Sequence, residues 1–86
     1  MTPMRFSNIT RAILSTLEGG NLYPYPEVQL LDEINGVIRP PVGNAAFDEA
    51  MLFLNSRKFI VTVPSALDAN LVQWTITESG KAALRQ

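Results

Sequence analysis

The chain has 86 residues, 47% hydrophobic and 17% charged, a balance that fits one globular domain with a modest core and excludes a disordered or fibrous chain. It contains no cysteine and no histidine, so disulfides and thiolate metal sites are excluded and the residue most used for metal binding and acid–base catalysis is missing. A formal net charge of −1 and a pI near 5.2 give no overall attraction to a polyphosphate.

No apolar run approaches the roughly 18 residues that a membrane span needs, and the N-terminus lacks the apolar core of a signal peptide. A cytoplasmic, bacterial setting is the default expectation. In chain order, residues 1–6 read as a lead-in and Ser7 as the N-cap of a first helix over residues 8–18. There Ile9, Ile13, Leu14 and Leu17 share one side and Arg11, Ser15 and Glu18 face elsewhere. Gly19-Gly20 supplies a left-handed stop, and residues 21–25 make a compact connection with a short edge strand. Pro26 suits the first position of a second helix, because the N–H it lacks would be unpaired there anyway. Periodicity carries that helix to Ile38, with Val28, Leu31, Ile34, Val37 and Ile38 as its buried stripe and Leu30 on the flank. Glu27, Asp32, Glu33 and Asn35 are expected in water. Arg39-Pro40-Pro41-Val42-Gly43 then forces an extended turn, since each proline disfavours helical geometry in the residue before it.

Asn44 reads as the N-cap of a third helix. At about 100° per residue, Phe47, Ala50, Met51 and Leu54 form its core stripe, widened by Ala46 and Phe53, with Lys58 snorkelling at the edge. The opposite face carries Ala45, Asp48, Glu49, Leu52 and Ser56. Residues 59–63 are β-branched and aromatic and predict a strand, ended by Pro64; residues 65–70 make a polar tip and residues 71–76 the return strand. Val72, Trp74 and Ile76 fall on one side of it, with the Trp74 indole N–H expected to find a carbonyl. Thr77 caps a last short helix from residue 78 to about 85, with Glu78 in its first turn and Lys81 and Arg85 further on.

The run Leu54-Asn55-Ser56-Arg57-Lys58-Phe59-Ile60, the hairpin, and Trp74-Thr75-Ile76-Thr77-Glu78-Ser79-Gly80-Lys81-Ala82-Ala83-Leu84 together resemble winged-helix transcriptional regulators. They look like the end of the recognition helix, the wing and the "LT-E-x-G-x-x-L" tail, with the PadR and MarR groups nearest. The first helix, with Tyr23 and Tyr25 after it, is similar to the start of PadR-type domains. Phe59 departs from the pattern, standing where those families usually have glycine. The chain also ends at Gln86, without the C-terminal dimerisation helices of PadR regulators, so any homodimer is expected to form through the first or last helix. The resemblance implies a single α+β winged-helix domain over residues 1–86, a three-helix core with a β-hairpin wing and a short C-terminal helix.

It also implies a DNA-binding regulator of transcription with double-stranded DNA as partner. In that register Asn44, Ala45, Asp48, Glu49 and Leu52 face the major groove, where Asn44 can read adenine and a carboxylate can accept from cytosine N4. Phosphate contacts fall to Arg39, to Arg57 and Lys58, and to Arg5, Arg11 or Lys81 elsewhere, because the wing tip, residues 65–70, has no Lys or Arg. The competing reading is a winged helix that binds protein, a second copy or a component of a larger assembly, through Tyr23, Tyr25, Leu52 and Leu67. Asp48 and Glu49 are adjacent helix positions that diverge by about 100° and so do not form a catalytic pair. No phosphate-binding glycine loop, nucleophile elbow or metal-binding motif is present, so neither an enzyme, a cofactor, a metal nor a membrane is expected.

Overall fold

The first helix, α1, spans Pro3–Gly19 in the computed structural model, which describes residues 3–19, 24–39, 41–64 and 72–85. It therefore starts a turn earlier than an N-cap at Ser7 predicts. The reason lies in another element: the Phe6 ring meets Phe53 edge-on, with centroids 5.2 Å apart and planes at 76°, so the extra turn has an aromatic partner. The Ser7 carbonyl instead accepts from the Thr10 hydroxyl. Gly19 is helical and has no positive φ, and Gly20 lies outside the described residues.

The short strand β1, Tyr25–Pro26, leads into α2, Glu27–Asn35, with Pro26 as N-cap rather than first helical residue. The helix stops before Gly36, which serves as C-cap, and does not reach Ile38. Its buried side is Leu30 and Ile34, with Leu31 and Ile38 partly buried against the core. Val28 and Val37, expected inside, are 76% and 73% exposed. Ending the helix at Asn35 takes Val37 off the periodic stripe, and the buried face is centred on Leu30 and Ile34, roughly 200° round the helix from Val28.

α3 spans Asn44–Ser56, with Gly43 as the N-cap, and buries Phe47, Ala50, Met51 and Leu54 as the periodicity predicts. β2, Ile60–Pro64, and β3, Val72–Ile76, pair antiparallel from Ile60 opposite Ile76 to Pro64 opposite Val72. β1 adds to the far side of β3, giving the order β1-β3-β2. Pro64 thus ends the strand from inside the ladder. Trp74 and Ile76 turn into the core that Ile9, Ile13, Leu14 and Leu17 of α1 share with α2 and α3. This is the winged-helix architecture, α+β, that the sequence implied.

α4, Glu78–Leu84, is tied to the end of α3 at one point. The Phe59 carbonyl accepts from the Thr77 backbone N–H at 3.0 Å, while the Thr77 hydroxyl donates to the Lys58 carbonyl at 2.7 Å and accepts from the Gly80 N–H at 3.1 Å. A Cβ at Gly80 would collide with the Phe59 carbonyl oxygen and stand 2.7 Å from Ile76 Cγ1. The glycine of the tail motif is therefore required by backbone contact with the start of the wing. Gly80→Ala is expected to lose about 2–3 kcal/mol of stability in urea titrations, the usual scale of overpacking against atoms that cannot yield.

Candidate nucleic-acid interface

Two prolines in the turn before α3 lack N–H groups, so the chain there has few donors with which to tie itself down. Asn35 supplies the tie. Its Oδ1 accepts from the Val42 N–H at 2.7 Å and its Nδ2 donates to the Val42 carbonyl at 3.4 Å, while Arg5 donates to the Pro41 carbonyl at 3.3 Å. Val42 is buried, so the α3 N-terminus is set against the end of α2. Asn35 is not the solvated residue that periodicity suggested; the only local hint was an amide side chain close before a proline pair.

Asn44, Ala45, Asp48, Glu49, Leu52, Asn55 and Ser56 all stand exposed on α3, and Arg39 is exposed in the bend after α2. Leu52 is 70% exposed. Arg57 and Lys58 are exposed just past the C-terminal end of α3, about 20 Å along the axis from Asn44 at 1.5 Å per residue. The Arg57 guanidinium carbon lies 5.1 Å from the centroid of the Phe53 ring. Nine residues, two and a half turns, separate Asp48 from Arg57, so the two project from opposite flanks of α3. Lys58 has φ of 61°, the left-handed region that favours glycine. The strained residue at this corner is thus Lys58, one before the Phe59 position that the resemblance gave to glycine.

The α2-facing flank of α3 borders two adjoining hollows of about 310 and 210 Å³ that share Glu27 and Asp48. Val28, Leu31, Asn44 and Phe47 line the first, and Met51, Leu52, Asn55 and Trp74 the second. They form an apolar groove carrying two carboxylates. Trp74 Nε1 donates to Glu27 Oε1 at 3.3 Å, so the indole found a carboxylate rather than a carbonyl, and Glu27 is only partly exposed. Of the residues expected to contact protein, Leu52 borders this groove, Tyr25 borders neither hollow, and Tyr23 and Leu67 lie outside the described residues. Burial, then the Glu33 charge and a hydrogen bond to it, raise the Tyr25 hydroxyl pKa above 10.0.

Charge is divided between the two parts of the chain. Residues 27–49 hold Glu27, Asp32, Glu33, Asp48 and Glu49 against Arg39 alone, a net −4; the remaining residues hold six Lys or Arg against Glu18, Asp68 and Glu78, a net +3. The overall −1 therefore conceals an uneven distribution of charge along the chain. Among the described residues no group of three His, Cys, Asp or Glu could hold a metal, and no helix is long and apolar enough to cross a membrane.

The architecture is that of winged-helix regulators of transcription. No protein-family model matches the chain, and no curated protein matches it. Among solved structures, TA0346 of Thermoplasma acidophilum, assigned as a transcriptional regulator, is 19% identical with a TM-score of 0.80, covering 98% of this chain and 78% of that one. The PcaV transcriptional regulator of Streptomyces coelicolor is 14% identical with a TM-score of 0.73, covering 88% of this chain and 48% of PcaV. The adhesin competence repressor AdcR of Streptococcus pyogenes is 19% identical with a TM-score of 0.72, covering 91% of this chain and 52% of AdcR. The chain thus spans about half the length of PcaV and AdcR.

Two measurements check this description of the site. Asn35→Ala leaves both backbone groups of buried Val42 without their partner and is expected to cost about 1.5–3 kcal/mol in chemical denaturation. For Tyr25 the folded-state pKa is raised, so its contribution is fully present below the unfolded pKa near 10 and is lost as pH rises through the folded value. Melting temperature should therefore fall less between about pH 9 and 11 in Tyr25→Phe than in the parent chain.

Proposed function

We propose that this chain is a DNA-binding winged-helix regulator of transcription and not an enzyme. The observation that supports this best is the exposed outer face of α3, carried on a fold that aligns over 98% of the chain with TA0346. Neighbours of the same fold include a regulator and a repressor by name, PcaV and AdcR. In this reading α3 enters the major groove, Asn44 reads adenine, and Asp48 or Glu49 accepts from cytosine N4 while Ala45 leaves room for the base edges. Carboxylates repel the phosphate backbone, so affinity rests on Arg39 at one end of α3 and on Arg57 and Lys58 at the other. The tail motif supports a likeness to PadR and MarR regulators, and the cytoplasm of a bacterium is the proposed setting.

Fluorescence anisotropy against random duplex DNA tests the proposal at low salt and again near 200 mM. Binding should weaken with a shallow salt slope of about two to three phosphate contacts per domain, and Arg57→Ala/Lys58→Ala should remove about two of them. An absence of binding at low salt, where the electrostatic attraction is greatest, would sink it.

A further inference from the structure

We propose that the acidic groove between α2 and α3 takes the basic corner at the end of α3 from a second copy of this chain. Both halves of the contact are present in one molecule. The groove has an apolar floor that includes Phe47 and Met51, exposed Val28 and Leu52 at its sides, and the carboxylates Glu27 and Asp48. The corner presents exposed Arg57, held over Phe53, and exposed Lys58. Opposite charge makes the two surfaces complementary, and the apolar stems of Arg57 and Lys58 suit a groove whose walls are valine and leucine.

Geometry decides what kind of assembly this is. Asp48 and Arg57 lie on opposite flanks of one rigid helix, so a molecule cannot place its own corner in its own groove. Among the described residues, each copy instead offers one uncovered groove and one uncovered corner. A head-to-tail contact of this kind repeats without closing on itself unless a rotation happens to complete a ring, and the product is an open chain rather than a two-fold dimer. Exposed ion pairs are individually weak and screened by salt, so the association belongs to low ionic strength and high protein concentration.

Sedimentation velocity from about 10 to 500 µM, at about 20 and 300 mM NaCl, tests this. At low salt the weight-average sedimentation coefficient should rise with concentration past that of a dimer, and at high salt the monomer should remain. Asp48→Lys, which spoils the groove, and Arg57→Glu/Lys58→Glu, which spoils the corner, should each stay monomeric, with circular dichroism confirming that both are folded. Mixed in equal amounts at low salt, they should associate again, because the intact groove of one receives the intact corner of the other. Val28→Ser should weaken assembly of the parent chain about tenfold at low salt. A monomer at every concentration, a dimer unaffected by the variants, or self-association of both variants alone would overturn the proposal. The DNA reading is judged separately, since Val28→Ser leaves the outer face of α3 and Arg39, Arg57 and Lys58 untouched and should bind duplex in anisotropy as the parent chain does, while Arg57→Glu/Lys58→Glu weakens it.

Discussion

The carbonyl of Phe59 is the point about which this fold is assembled. It accepts from Thr77 where β3 passes into α4, and it lies so close to Gly80 that no side chain fits there. One residue earlier the chain turns through the left-handed region at Lys58 to leave α3, and the Phe59 N–H bonds back to Leu54. The end of the exposed helix, the start of the wing and the start of the last helix are thereby held within a few ångströms of one another. Because an unpaired buried backbone group costs about as much as a lost hydrogen bond, these bonds fasten the three elements to one another. The wing consequently takes its direction from the end of α3, which is what a surface shared by helix and wing requires.

The other end of α3 is positioned by a different device. Asn35 pairs with both backbone groups of Val42, supplying the bonds that a proline-rich turn cannot supply for itself. Between the two anchors α3 buries one apolar face and leaves the other in water. Trp74 joins the sheet to this frame by packing into the core and donating to Glu27 at the start of α2, and that bond places one carboxylate beside the α3 flank. A residue needed for packing and a residue of the candidate interface are thus the two partners of a single hydrogen bond.

Charge follows a separate logic from the fold. The acids gather on α2 and the first half of α3, and the cations on α1, on the end of α3 and on α4. On the reading proposed above, an α3 with Asp48 and Glu49 on its outer face would be a selective reader and a poor source of affinity, because a carboxylate accepts well from a base amino group and repels every phosphate. The same polarity makes one molecule complementary to another. Nucleic-acid recognition and self-association would draw on the same Arg57 and Lys58, so that occupancy of the corner by a neighbouring molecule would compete with a phosphate contact.

By itself the amino-acid sequence determined the element order, the core face of α3, the Thr77 cap and the wing hairpin. Those features depend on period, caps and turn residues that act within a few positions of one another. The tail motif likewise announced the winged helix, because its glycine answers a backbone contact that any chain with this corner must make. Tertiary structure alone decided that α1 begins at Pro3, since Phe6 gains its partner from α3, and that Leu30 rather than Val28 turns inward. It also decided that Asn35 and Glu27 serve Val42 and Trp74 rather than water. These outcomes hang on residues 7 to 47 positions apart, and no local period records which distant group will arrive to pair with an exposed-looking side chain.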